Sequence, residues 1–307
     1  MTYQTDGILL VDKNEGETSY DVVRKVKSAL KIKKVGHAGT LDPFATGLLI
    51  ILLGRGTKLS PFIMSENKVY LATMRLGIET DTLDSTGRVV RKSVVPDLNL
   101  KHIREKAEYF VGDIEQIPPL YSAVKYRGTR AYKLARRGQE FVLKKRTVTI
   151  FSLRILSVDL PDVTLEVKCS SGTYIRSLAA DLGEKLGSGG HLKSLRRLAC
   201  GSFYTKDALC SKEFLTGNNS RLLRDKVIPL RAALPDMREI MVEHDIAEKI
   251  RHGYQPALEG LADGLVLAGC EGTHLKLVSN RELVAVMKVT KCGRGGHGRL
   301  DIARVFS

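Results

Sequence analysis

The sequence predicts an α+β protein built on a mixed, mainly antiparallel central sheet, with a small β-rich appendage at its C-terminal end. Three observations predict this. Strand-like and helix-like periodicities both occur, without the regular βαβ rhythm of a doubly wound sheet. The 307 residues exceed one average domain and suit a large body plus a smaller unit. Apolar content of 43% and charged content of 27% are ordinary globular values, so a packed core is expected.

The elements follow in chain order. Gly7 to Asp12 reads as a short buried strand ending in a turn at Asn14–Gly16. Thr18 or Ser19 caps a helix in which Val22, Val23, Val26, Ala29 and Leu30 recur at helical spacing, with Arg24, Lys25, Lys27 and Lys31 mainly outside. Val35 to Pro43 is glycine-rich and reads as a loop. Val69 to Leu76 and Thr164 to Cys169 alternate as strands, Asp97 to Phe110 reads as a helix, and Ile175 to Leu186 as another. A boundary is expected near Pro235–Asp236, giving a body of residues 1–235 and an appendage of 236–307. Beyond it come a short helix (Ile246 to Arg251) and strands around Leu265–Ala268, His274–Val278 and Leu283–Val289.

Charge supports the same division. The net charge is +15, yet residues 236–307 carry ten basic and ten acidic side chains, so the body holds the whole excess. Lys125 to Arg146 concentrates nine basic residues against Glu140 alone. A solvated basic face is the plain explanation of such a run. Its interleaving with Tyr126, Tyr132 and Phe141 also suits an arm that tracks phosphates. The five cysteines are scattered and never spaced C-x-x-C, which argues against a disulfide framework or a zinc site and for a reducing, cytoplasmic setting. No signal peptide or apolar stretch long enough for a membrane helix is visible.

Gly293 to Gly298 formally matches G-x-G-x-x-G. It lacks the helix and the acidic residue about 20 positions on that a dinucleotide site needs, and reads as a loop. The candidate chemistry lies at Gly36-His-Ala-Gly-Thr-Leu-Asp-Pro43. Alone, Asp42 before Pro43 is ordinary turn chemistry and His37 an ordinary structural histidine. In its wider setting, however, Gly36 to Leu49 resembles the signature of the TruB family of tRNA pseudouridine-55 synthases. Gly7 to Lys13 with Gly16–Ser19, Lys68-Val-Tyr70, Thr80 to Asp84, Gly172 to Leu178 and His191 to Arg197 resemble further family motifs. Gln116 to Lys125, continuing through Gly128, Arg130-Ala-Tyr132 and Ala135 to Gly138, resembles the family's RNA-gripping insertion, about residues 122–150. The blocks span residues 7–204 in the family's order. Two positions depart from the pattern: Asn14 where proline is usual, which implies a looser turn, and Gly56 where alanine is common.

The resemblance implies the pseudouridine-synthase fold with a PUA-like C-terminal domain, and isomerisation of one uridine in the T loop of tRNA by a monomer. It implies no cofactor and no metal. Asp42 would be the catalytic carboxylate and Arg176 its partner. Tyr70, Tyr174 and Leu195 would contact the base, Tyr70 by stacking and with a part in proton transfer during the isomerisation, and His37 would wedge into the loop to hold the flipped-out nucleotide. Lys13, Asp84, Lys125, Arg127, Arg130, Lys133, Arg136 and Arg137 would support the site or grip RNA. A basic tip at Lys288, Lys291, Arg294, Arg299 and Arg304 suits contact with the acceptor end, and a lid that only stabilises the body is an equal alternative for this appendage. Two other functions compete: an RNA chaperone whose catalysis is secondary, and a guide-dependent enzyme of a ribonucleoprotein. The start of the chain so close to the first motif disfavours the latter.

Overall fold

The computed structural model describes residues 5–212, 220–256, 272–292 and 298–307, without the side chains of 291, 292, 298 and 299. The sequence expectations at Leu265–Ala268, Gly293–Gly298, Lys291, Arg294 and Arg299 fall on residues or side chains outside that description.

Strand β1 (Gly7–Lys13) leads through a turn to helix α1 (Ser19–Leu30), whose first turn is closed by a capping box between Thr18 and Asp21. Val22, Val23, Val26 and Leu30 face the core. Strand β2 (Val35–Ala38) pairs antiparallel with the buried β3 (Thr46–Leu53), so the first half of the expected loop is strand. Four residues beside an all-apolar partner give too short a pattern to betray this; the pairing is imposed by the neighbour. A 3₁₀ turn and α2 (Ser60–Ser65) precede β4 (Lys68–Leu76), in which buried and half-buried residues alternate strictly. A hairpin of β5 (Ile78–Thr80) and β6 (Val89–Lys92) follows. Helix α3 (Leu100–Glu108) is shorter than expected because Asn99 caps it, its side chain accepting from the His102 amide at 2.9 Å.

Strand β7 (Gly112–Gln116) ends at the basic arm, a hairpin of β8 (Lys125–Tyr126) and β9 (Thr129–Arg130) running into α4 (Ala131–Arg136). The arm stops sooner than about residue 150. From Arg146 the chain is in β10 (Arg146–Asp159), whose Arg146–Ile150 pairs with β7 inside the central sheet. The body closes with β11 (Asp162–Cys169), α5 (Ile175–Lys185), β12 (Gly190–Cys200), β13 (Phe203–Tyr204), β14 (Leu209–Cys210) and α6 (Ser220–Asp225).

The central sheet runs in the order β14-β1-β3-β12-β4-β11-β10-β7, with β2 and β13 at the side. It is mixed: β1–β14 and β3–β12 are parallel, the other pairs antiparallel. One apolar cluster unites α1 and α5 with this sheet and includes Leu41, Phe44 and Ala45, which flank Asp42. A second four-stranded sheet starts with β15 (Arg238–Met241) and, after α7 (His244–Arg251), contains β16 (His274–Ser279), β17 (Glu282–Cys292) and β18 (Gly298–Val305). Among the described residues, no helix is long and apolar enough to cross a membrane.

Candidate active site

Asp42 sits on the connection between β2 and β3, and that connection is fastened from below. Ser19 Oγ, buried at the start of α1, accepts from the Leu41 amide at 2.9 Å and donates to the Leu41 carbonyl at 3.1 Å. The Pro43 carbonyl accepts from the Gly16 amide at 2.8 Å and from Lys13 Nζ at 3.2 Å. Lys13 is wholly buried, and its ammonium also donates to the carbonyls of Asn14 (2.9 Å) and Glu17 (2.7 Å). Burial brings its pKa down to about 8, against the pull of Glu17 and Asp42. A lysine so enclosed supports the loop and cannot touch RNA. Lys13 and Gly16 thus tie the opening motif to the Asp42 loop. Asn14 does not loosen it: its backbone N–H donates to Ser211 Oγ at 3.2 Å, and its side-chain amide donates to the same oxygen.

Arg176, in the first turn of α5, aims its guanidinium at Asp42. Nε lies 2.9 Å from Oδ2 and Nη2 3.3 Å from Oδ1, a two-pronged contact. The Arg176 side chain is 4% exposed and that of Asp42 34%, so a buried cation stands behind a half-buried carboxylate. The remaining guanidinium donors are used too: Nη1 reaches the Thr82 carbonyl (3.0 Å) and Asp84 Oδ2 (3.3 Å), and Nη2 the Tyr121 carbonyl (3.0 Å). Asp84 is buried and accepts from Thr82 Oγ1, the Thr86 amide and Thr86 Oγ1. Desolvation holds the Asp42 pKa above the usual carboxylate value; Arg176 and Lys13 pull it down, and Asp84 pushes it further up.

The sheet supplies the next group. Leu195 opposes Ala72 and Arg197 opposes Tyr70 across β12 and β4, so these side chains share one sheet face. Tyr70 and Leu195 belong to the cluster that holds Leu41 and Phe44. Burial pushes the Tyr70 phenol up to about 12, with Arg197 acting against it. His37 lies on β2, half-buried, with Nδ1 enclosed and unpartnered; burial, then Arg197, lowers its pKa. Tyr174 caps α5, and the Arg146 guanidinium lies over its ring at 5.9 Å.

Sequence reasoning missed the clamps. Gln116, 1% exposed, accepts from the Tyr174 amide at 2.7 Å and donates to its carbonyl at 3.0 Å. Ser177 Oγ donates to the Ile117 carbonyl at 2.8 Å. The root of the arm is therefore bolted to the helix turn bearing Arg176. A glutamine at the edge of the arm's motif is the one signal the sequence offers for this. Lys125, Arg127, Arg130, Lys133, Arg136 and Arg137 are all exposed on the arm, and no ion pair among the described residues engages them. Arg127 stacks on Tyr126 and Arg136 on Tyr132, leaving cations and aromatic faces side by side. Among the described residues, no group of three or more His, Cys, Asp or Glu side chains is arranged to hold a metal.

A mixed sheet thus carries an arginine-held, half-buried carboxylate near the root of an exposed cationic arm, a class of site suited to an anionic substrate. The comparisons with known proteins specify the class. Residues 27–175 match the TruB family pseudouridylate synthase N-terminal domain, and 176–235 the tRNA pseudouridylate synthase B C-terminal domain. The chain is similar to tRNA pseudouridine synthase B of Syntrophus aciditrophicus, 42% identical over 92% of this chain and 91% of that one. It is likewise similar to those of Clostridium kluyveri (47%; 81% and 84%) and Geotalea uraniireducens (40%; 98% and 98%). Among solved structures, a chain from a Cbf5-Nop10-Gar1 complex superposes with a TM-score of 0.76 at 25% identity, covering 99% of this chain and 86% of its own. The chain belongs to the TruB family of pseudouridine synthases.

Proposed function

We propose that this protein isomerises the T-loop uridine of tRNA, position 55, to pseudouridine, with Asp42 as its catalytic carboxylate and residues 1–235 as its catalytic body. The observation that carries the proposal is the two-pronged Arg176 contact, which fixes the Asp42 carboxylate at the protein surface between a loop fastened by Lys13 and Ser19 and the root of the basic arm. The names of the relatives, tRNA pseudouridine synthase B, supply the substrate class.

The reaction breaks the bond between N1 of the base and C1′ of the sugar, turns the base, and rejoins it through C5. A carboxylate serves either by attacking C1′ or by assisting a glycal intermediate, and both routes need it ionised and oriented. Arg176 and Lys13 favour that ionised form against burial. The uridine must leave the stacked loop, at a cost of about a few kcal/mol. Tyr70, Tyr174 and Leu195 are assigned to the extruded base, His37 to the vacated loop, and Lys125, Arg127, Arg130, Lys133, Arg136 and Arg137 to phosphates.

The test is mass-based mapping of pseudouridine in a bare T-arm transcript incubated with the purified protein alone, wild type against Asp42→Ala. Isomerisation at one uridine, lost in the variant while RNA binding persists, is expected. Product formation by the variant would refute the assignment. Because the arm's cations are free whatever Asp42 does, an RNA chaperone is the second reading. It predicts refolding activity that Asp42→Ala leaves intact.

A further inference from the structure

We propose that Arg197 is a positioning residue for the isomerisation, a buried guanidinium that fixes the Tyr70 hydroxyl and the Asp42 loop in one frame. Arg197 is 2% exposed, and Nε donates to the Leu48 carbonyl at 2.7 Å and Nη2 to the Gly39 carbonyl at 3.1 Å. Gly39 lies three residues before Asp42 on the same connection. Cross-strand pairing sets Arg197 opposite Tyr70 on the same buried sheet face, where its positive charge acts against the burial that raises the phenol pKa. Unlike Arg176, it forms no ion pair with a carboxylate among the described residues. Burying a guanidinium against neutral acceptors alone is unfavourable unless its charge has a use.

Its geometry supplies one. Guanidinium nitrogens only donate, so Arg197 can meet the phenol oxygen only at a lone pair, which leaves the O–H to point elsewhere. The isomerisation leaves a proton on N1 and removes one from C5. A phenol that gives its proton to N1 and then regains the C5 proton ends as it began, and in between it carries a negative charge. Arg197 is the cation beside that charge. The other titratable groups facing Tyr70 are the thiols of Cys169 on β11 and Cys200 on β12, both held neutral by burial.

This inference rests on the proposed isomerisation, and its test separates the two. In the full chain, Tyr70 is replaced by 3,5-difluorotyrosine, whose lower phenol pKa brings the titration into a range followed by ¹⁹F NMR without RNA. In Arg197→Met the ionisation should move up by roughly 1 unit or more, and in Arg197→Lys by less. Single-turnover rates on a T-arm transcript should fall ~100-fold in Arg197→Met with RNA affinity unchanged. In a Tyr70→Phe background the same substitution should cost less than about 3-fold, because the group it serves is gone. An unmoved fluorotyrosine titration, or an undiminished loss in the Tyr70→Phe background, overturns the proposal. Should Arg197→Met fail to fold, Arg197→Lys carries the same comparison: a loss that disappears with Tyr70→Phe supports it, and an equal loss in both backgrounds sinks it. The titration needs no substrate, so it stands even where no pseudouridine is formed.

Discussion

At the scale of single residues, the site is a problem of two carboxylates, Asp42 and Asp84, set among buried cations. Burial raises the Asp42 pKa and Asp84 raises it further, so the acid limb of the rate profile should lie above the usual 3.8 of a free aspartate. Asp84→Asn removes the neighbouring anion, and the limb should move to lower pH; a limb that stays put or climbs would show that Asp84 does not act on Asp42 electrostatically. Because the folded-state pKa is raised, the ionised Asp42 is an unfavourable contribution to stability that appears as pH rises above 3.8. Lys13 gives a second prediction. Its folded pKa of about 8 lies below the unfolded 10.5, so its desolvation penalty is fully present below pH 8 and is relieved as pH rises towards 10.5. Wild type should therefore gain up to about 3 kcal/mol relative to Lys13→Met across that window, measured by denaturant titration at either end. Asp42 and Arg176 are legible in the sequence only because their motifs resemble a family's. Arg197 and Gln116 are not legible as clamps, since their partners are mainly backbone carbonyls and amides that leave no mark in the side-chain sequence.

At the scale of elements, the departure at Gly56 turns out to be a fit between two segments. A Cβ there would lie 2.0 Å from the Gly7 carbonyl oxygen, so β1 runs directly against the 3₁₀ turn. Gly56→Ala, though it restores the commoner family residue, should cost about 1–3 kcal/mol of unfolding free energy through that overlap; a neutral effect would mean that the two segments part easily. For the arm, affinity for RNA should fall ~10³-fold or more between about 50 and 200 mM salt if about six phosphates are neutralised. Replacing Arg127, Arg130, Arg136 and Arg137 by glutamine should flatten the salt slope by roughly 0.7–0.9 for each phosphate no longer neutralised, and an unchanged slope would take the arm out of RNA binding. The amphipathic α1 and α5 and the alternating β4 and β11 can be read from periodicity, because one face of each meets water or a partly exposed layer. Strand β12 cannot: Gly190 to Leu192 are all buried, Lys193 and Ser194 both exposed, and its register with β4 shifts twice. The four-residue β2 shows its pairing only once β3 is in place.

At the scale of the whole molecule, the charge shift near residue 235 marks where the second sheet begins, but it does not mark a detached module. Leu283, Val286 and Phe306 share one apolar cluster with Ile8, Leu48, Ile50 and Leu52 of the body. Polar ties run the same way: Lys276 Nζ donates to the carbonyls of Arg231 (3.0 Å) and Leu234 (2.9 Å), and Lys58 Nζ to that of Val305 (2.8 Å). The body side of this cluster is the apolar face of β1 and β3, and β3 begins four residues after Asp42. The C-terminal segment is therefore expected to help hold the strands that support the Asp42 loop, whether or not its surface touches RNA. Phe306, 0% exposed, is the place to test this. Phe306→Ala should cost about 3–5 kcal/mol, and because the cavity opens between the two sheets, both should lose stability together. Hydrogen exchange distinguishes the outcomes. Faster exchange in β1 and β3 as well as in β16–β18 is expected, whereas loosening confined to the C-terminal strands would mean that the body stands without its appendage.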